Sequence, residues 1–177
     1  MNKFEPVQGI DGVWIRSLDL NFDDRGYFTE VIRINDLPEG VPNFVQDSIS
    51  YSKKNVLRGM HIQLDQWQLI TLLEGRIVDV VLNLDRQSQC FLNSSSFNLS
   101  WDDTNQLLVA PGFAHGFAVI SDYAKIHYKS SVYYGSTEQF GVRWNSSEIS
   151  NCWPQKDWVV SVRDEDFPII SELIVNL

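Results

Sequence analysis

Between residues 10 and 145 the chain carries almost no helical period. Apolar residues recur instead in short β-rich runs, each closed by a turn-forming cluster. The runs are Gly12–Ser17, Tyr27–Ile34, Phe44–Ser52, Val56–Gln63, Gln68–Leu73, Arg76–Leu84, Phe91–Leu99, Gln106–Ala110, Gly116–Ile120 and Lys125–Tyr134. Breakers such as Asp23-Asp24-Arg25-Gly26, Lys53-Lys54-Asn55, Glu74-Gly75 and Pro111-Gly112 separate them. So many short strands need a closed or doubled antiparallel sheet, because only that architecture removes or protects the edges. The expected fold is all-β: a jelly roll by preference, an up-and-down barrel as the alternative. After Pro154 the pattern loosens into a short irregular or helical tail. A helix over Asp164–Val175 is expected there, with Pro168 standing against an unbroken one. Nothing resembling a linker or repeat interrupts residues 1–177, so one domain is expected.

Strand alternation sorts the side chains into faces. In Arg76–Leu84, Val78, Val80, Leu82 and Leu84 form a purely apolar face. Ile77, Asp79, Val81 and Asn83 form the other, mixed as the lining of a ligand-holding barrel would be. In Val56–Gln63, His61 shares a face with Leu57, Gly59 and Gln63. Arg58 falls on the opposite face unless Gly59 marks a bulge.

Composition excludes several function classes. Asp and Glu outnumber Lys and Arg by 23 to 14, for a net charge of −9. A general nucleic-acid binder needs a basic face, so nucleic acid is not an expected partner. A small anionic ligand remains compatible, since a few clustered arginines create a local positive pocket. No apolar stretch approaches the ~20 residues of a membrane span, and Met1–Pro6 lacks the apolar run of a signal peptide. A cytoplasmic protein without a membrane partner is expected. Cys90 and Cys152 form no C-x-x-C pair, which argues against a ribbon or finger zinc site and leaves two reduced cysteines as the expectation.

Three histidines, His61, His115 and His127, are available for chemistry. A metal-binding β-barrel of the cupin type wants His-x-His with a following Glu, then Pro-x-Gly-x-x-His. Here Gln63 stands where the second histidine should be, and no glutamate follows before Glu74. A metal site usually needs three or four protein ligands, so no metal or other cofactor is expected. There is no G-x-S-x-G and no glycine-rich phosphate loop.

Several motifs occur together in order. Asp23-Asp24-Arg25-Gly26-Tyr27-Phe28-Thr29-Glu30 reads D-x-R-G-x-F-x-E. Gln46, Ser48, Ser50 and Ser52 precede Val56-Leu57-Arg58-Gly59-Met60-His61-Ile62-Gln63, which reads V-L-R-G-x-H-x-Q. Gly112 to Phe117 reads G-F-A-H-G-F, and Trp153-Pro154 closes the set. On these residues the sequence resembles the dTDP-4-dehydrorhamnose 3,5-epimerase family of RmlC-like cupins, from about Asp23 to Pro168. The resemblance implies a metal-free homodimeric jelly roll acting on a nucleotide-linked 4-keto-6-deoxyhexose. It implies His61 as the base, Asp164 as the carboxylate that orients it, and Tyr128 as the acid. It assigns Arg25, Phe28 and Glu30 to nucleotide binding across the dimer, with Gln46, Ser48 and Arg58. Asp79 and His115 are expected on the substrate side of the pocket, His115 in a structural or supporting role.

The chemistry of such a substrate agrees with these residue types. A ketone at C4 acidifies the hydrogens on C3 and C5. A neutral histidine removes one, a carboxylate on its other nitrogen favours the resulting imidazolium, and a tyrosine on the opposite face returns a proton. The enolate between those steps needs a positioned donor. Here the sequence departs from the family, whose Q-x-K-L lysine is replaced by Gln68. A neutral amide still donates, but a charge-assisted hydrogen bond is roughly twice as strong. Slower or narrower catalysis is expected, including inversion at C3 alone. The nucleotide (dTDP, CDP or GDP) stays open. The expected role is deoxysugar synthesis for a surface polysaccharide such as O-antigen. The alternatives are a non-catalytic sugar-nucleotide-binding paralogue and a 3,4-ketoisomerase.

Overall fold

The structure is a computed structural model that describes residues 3–133, 135 and 140–176. Its strands are β1 (Glu5–Pro6), β2 (Val13–Ser17), β3 (Asn21–Asp23), β4 (Gly26–Phe28), β5 (Gln46–Lys53), β6 (Leu57–Gln63), β7 (Gln68–Asn83), β8 (Ser94–Ser100), β9 (Asn105–Val109), β10 (Phe113–Ser130) and β11 (Phe140–Gly141). All pair antiparallel. Tyr134, the end of one expected run, lies outside the described residues.

Two expected pairs of strands are single long ones. Glu74-Gly75 bends β7 without ending it, and β10 runs through the equivalent stretch with a register shift between Val119 and Ala124. Gly75 is required at the bend: its φ is +91°, and a Cβ there would come within 2.1 Å of the Tyr123 carbonyl oxygen. Because the two strands bend side by side, each serves two sheets. The first half of β7 pairs with β9 and the second half of β10, which in turn pairs with β5. The second half of β7 pairs with β8 and the first half of β10, which pairs with β6. The result is a two-layered jelly roll of the cupin kind.

One apolar cluster fills the space between the layers. Val13, Ile70, Leu107 and Ile126 of the first layer meet Ile77, Val81, Leu99 and Phe117 of the second. A second cluster lies on the outer face of the second layer. There Val78, Val80, Leu82 and Leu84, the purely apolar face read from the sequence, pack with Met60, Ala114, Val142, Ile149, Trp153 and Ile170. The C-terminal tail therefore exists to cover that face. Its expected helix is broken at Pro168 into α1 (Val162–Glu165) and α2 (Ile170–Asn176). Among the described residues no helix is long and apolar enough to cross a membrane.

The run Tyr27–Ile34 behaves differently. Only Gly26–Phe28 becomes a strand, paired with β3 in a two-stranded sheet of its own. Phe28 (68%) and Ile34 (67%) of the run are exposed, as is Phe22 (72%) of β3, while Val31 and Ile32 are half-buried. Tyr27 packs on Trp101 and the buried Arg16 holds the Val31 carbonyl, but neither main apolar cluster includes a residue of this segment.

Candidate active site

A bulge in β6 builds the site. His115 pairs with His61, yet Phe117 pairs with Arg58, so two residues of β6, Gly59 and Met60, oppose Gly116 alone. The inserted residue turns Leu57, Met60 and Ile62 outward to the tail-covered cluster, while Arg58, His61 and Gln63 all border one cavity. Regular alternation would have parted Arg58 from His61. Gly59 has φ +109°, and a Cβ on it would meet Gly116 Cα at 2.6 Å and the His115 carbonyl oxygen at 2.7 Å. Only glycine fits.

The cavity, of about 250 Å³, opens between the layers at one end of the barrel. His61 is partly exposed to it, with Nε2 3.0 Å from Asp164 Oδ1. Asp164 is buried and sits in α1, where Ser161 caps the helix by accepting from the Asp164 N–H at 3.1 Å. Its second oxygen accepts from the Gly59 N–H at 3.1 Å. Desolvation alone would raise the pKa of this carboxyl. Hydrogen bonds from His61, the Gly59 N–H and Arg163 outweigh it and hold the group well below the ordinary aspartate range. It is thus a fixed anion behind His61.

A second histidine–aspartate pair lies beside the first. His115 borders the cavity on its inner side, and its Nε2 is 2.9 Å from both oxygens of Asp79, which is fully buried. Asp79 is on the expected face of β7 but stands behind His115, so the carboxylate expected toward the pocket reaches it only through the imidazole. Tyr128, on the half of β10 that belongs to the other layer, closes the opposite wall. Burial pushes its phenol well above the ordinary tyrosine pKa, a hydrogen bond with Ser50 (3.2 Å) opposing, and nearby Asp79 adds to the rise. Tyr128 is therefore a neutral donor at physiological pH. Gln68, at the start of β7, also borders the cavity, and its buried Oε1 has no hydrogen-bond partner among the described residues. Arg58 is anchored at Nε to Ser52 Oγ (2.9 Å), and Gln46 donates to Ser48 Oγ (3.0 Å) at the rim.

Arg25, Phe28 and Glu30 do not line this cavity. They lie on the exposed arm around β3 and β4, where Arg25 pairs with Asp23 and Glu30 with Arg33. Arg16 ties down the far end of that arm: its fully buried side chain donates to the Val31 carbonyl (2.5 Å) and to Gln106 Oε1 (2.6 Å). Of the residues expected at the site, the cavity gathers His61, Tyr128, Gln68, Gln46, Ser48, Arg58 and His115, with Asp164 and Asp79 directly behind. Sequence reasoning left out Arg163, Gln66 and Tyr133, which also border it. Arg163 adjoins Asp164 in sequence, and that adjacency was the available signal.

Among the described residues no three His, Cys, Asp or Glu side chains converge as metal ligands do. What the cavity offers is acid–base chemistry: a carboxylate-backed imidazole on one wall, a neutral phenol on the other, and guanidinium groups nearby.

Comparison with known proteins matches the chain to a family. The model of the dTDP-4-dehydrorhamnose 3,5-epimerases matches residues 8–172. The Escherichia coli K12 enzyme of that name is 38% identical over 159 residues, 86% of either chain. The crystal structure of dTDP-4-dehydrorhamnose 3,5-epimerase from Bacillus anthracis with TDP and pyrophosphate bound superposes with a TM-score of 0.88 at 35% identity, covering 96% of this chain and 100% of that one. The Legionella pneumophila dTDP-6-deoxy-D-glucose-3,5-epimerase in complex with dTDP-4-keto-L-rhamnose gives 0.90 at 30% identity, covering 97% and 94%.

Proposed function

The chain belongs to the dTDP-4-dehydrorhamnose 3,5-epimerase family, and we propose that it inverts C3, with or without C5, of a nucleotide-linked 4-keto-6-deoxyhexose in deoxysugar biosynthesis. The observation that carries this reading is the placement of the His61–Asp164 pair and the Tyr128 phenol on one cavity. With Nε2–H donated to Asp164, His61 Nδ1 takes the proton from the carbon next to the ketone. The C–H electron pair moves into the ring and the carbonyl electrons onto O4, forming the enolate. The imidazolium so formed faces an anionic Asp164. Gln68 and Arg58 are the donors to the enolate oxygen. Tyr128 then delivers its proton to the opposite face of the same carbon, and the configuration inverts.

A dTDP-linked substrate is the first expectation, because TDP and dTDP-4-keto-L-rhamnose occupy the related structures. We further propose a homodimer. The arm bearing Arg25, Phe28 and Glu30 is exposed, and Ile49, Tyr51 and Tyr123 extend the uncovered apolar surface on β5 and β10. A partner's arm laid beside the cavity supplies the nucleotide contacts that its own chain lacks there. The cytoplasm, where nucleotide sugars are made, is the expected location. Incubation with dTDP- and CDP-4-keto-6-deoxyglucose in D₂O tests the reading. Deuterium at C3, or at C3 and C5, identifies the reaction and the nucleotide together. Binding without exchange on either substrate makes the protein a binder, and a moved carbonyl makes it a ketoisomerase.

A further inference from the structure

Arg16 stands where β2 would ordinarily present a surface side chain. Val13 and Ile15 point between the layers, so alternation turns Arg16 to the outer face of the first layer. Its neighbours across the sheet are Gln106 on β9 and then Thr71 on β7, and all three are buried. They form one hydrogen-bonded row, Arg16 Nε to Gln106 Oε1 and Gln106 Nε2 to Thr71 Oγ1, both at 2.6 Å. A polar row on an outer face is buried only because something lies over it. That cover is the return leg of the arm. Arg16 Nη2 donates to the Val31 carbonyl at 2.5 Å, and Nη1 lies 3.9 Å from Asp36 Oδ2. Phe4 closes over the guanidinium, its ring centre 4.5 Å from Cζ. A buried ion that served only the sheet would be a poor choice, since an apolar side chain of similar volume often does as well or better. What the guanidinium adds is its planar fork, which holds two segments at once.

The arm is thereby a loop held at its base. Arg16, on the outgoing leg, grips residue 31 on the returning one. Further out, Thr29 Oγ1 donates to the Asp19 carbonyl at 2.9 Å and Asn21 Nδ2 to the Phe28 carbonyl at 3.4 Å. No residue from 18 to 31 belongs to either main apolar cluster, so these polar rungs carry much of the arm's attachment. Glu30 adjoins the gripped Val31, and Phe28 lies two residues beyond it. The direction in which both leave the subunit is set at Arg16.

We propose that Arg16 is a positioning residue for nucleotide binding: by gripping the base of the arm it orders Arg25, Phe28 and Glu30 before the ligand arrives. This rests on the reading that the arm completes the nucleotide site of a second copy. An arm already ordered loses less freedom on binding, so affinity is the quantity the grip raises. The proton transfers at His61 do not pass through it.

The test compares Arg16→Met, which removes the fork and keeps the volume, with Arg16→Lys, which keeps the charge beside Asp36 and one point of attachment. Amide hydrogen exchange, read by mass spectrometry, should speed up about tenfold over residues 19–31 in Arg16→Met and by less in Arg16→Lys, with β6 and β7 unchanged. TDP affinity should fall about tenfold in Arg16→Met, while single-turnover deuterium exchange into saturating keto sugar stays within about twofold. Refolding Arg16→Met together with His61→Ala is the third measurement. Each mixed dimer then joins an intact His61 to a gripped arm at one of its two sites. At low substrate the equal mixture should reach about a quarter of the wild-type rate, well above the mean of the two variants alone. Unchanged amide exchange over the arm in both variants would overturn the proposal, as would a loosened arm with wild-type TDP affinity. Should Arg16→Met not fold, Arg16→Lys decides by the same two readouts. The amide measurement uses no ligand, so it stands apart from the nucleotide-sugar reading. A loosened arm and weaker TDP binding with no gain on mixing would uphold Arg16 and sink the cross-subunit reading alone.

Discussion

Gly59→Ala is the substitution that asks most of the bulge in β6. The new methyl would stand 2.6 Å from Gly116 Cα and 2.7 Å from the His115 carbonyl oxygen, both backbone atoms that cannot rotate away. Overpacking of this kind costs about 1–3 kcal/mol. The φ of +109° adds a conformational penalty, of about 1–2 kcal/mol for a residue with a Cβ. Together about 2–5 kcal/mol is expected, a large share of the ~5–15 kcal/mol of a typical domain. Gly40→Ala is the control, because Gly40 also has positive φ, +86°, but nothing lies within 4 Å of its Cβ position. It should lose only the conformational part. In urea unfolding, with a slope of about 2 kcal/mol per M, Gly59→Ala should lower the midpoint by roughly 1–2.5 M. Gly40→Ala should lower it by less than about 1 M. Solvent exchange into the keto sugar should also fall in the Gly59 variant, because a displaced bulge parts His61 from Arg58 and from Asp164. Equal midpoints in the two variants, with wild-type exchange in both, would refute the claim that the bulge assembles the site.

Asp164→Asn should reduce exchange roughly 10²–10⁴-fold while the fold survives, since the amide oxygen still accepts from Gly59. Because the Asp164 carboxyl is held below its ordinary pKa, the stability it contributes is full above the unfolded value of about 3.9 and is lost as pH falls through the folded value. Urea midpoints measured from pH 6 downward should therefore fall less steeply below about pH 4 in the variant. Tyr128→Phe should leave exchange at the acidified carbon largely intact and lower net inversion by about 100-fold or more, read by NMR of the product. Gln68→Lys places a charged donor where a buried amide oxygen lacks a partner among the described residues, and single-turnover exchange should rise about tenfold. Gln68→Ala should lower exchange; a rate equal to wild type would remove Gln68 from the enolate.

The layered all-β fold was legible because alternation and turn residues are local signals. The two faces of Arg76–Leu84 fall where alternation put them, one between the layers and one under the tail. Strand number was less legible: Glu74-Gly75 bends β7 with the same residues that would end it, and only Tyr123 and Ser121 close against Gly75 distinguish the two. Pro168 divided the tail helix for the local reason foreseen. The bulge at Gly59 was legible only as an alternative, because its cause, the approach of Gly116, is tertiary. Arg25, Phe28 and Glu30 stand in a recognisable motif, yet nothing local tells that their side chains stay exposed on their own chain. Asp79 was readable as pocket-side but not as lying behind His115, since alternation gives a face and not a depth. Arg163 went unread because its position beside His61 depends on α1 docking against β6.

The central claim is that His61 is the base, backed by Asp164 in a cavity that binds the nucleotide by other groups. Its most direct test is single-turnover deuterium exchange in His61→Ala with dTDP-4-keto-6-deoxyglucose in D₂O, alongside calorimetric titration of TDP. Exchange at C3 should fall by at least roughly 10³-fold, while TDP affinity stays within about threefold of wild type. Undiminished exchange with normal TDP binding would contradict the account, because the proton would then be leaving to another group.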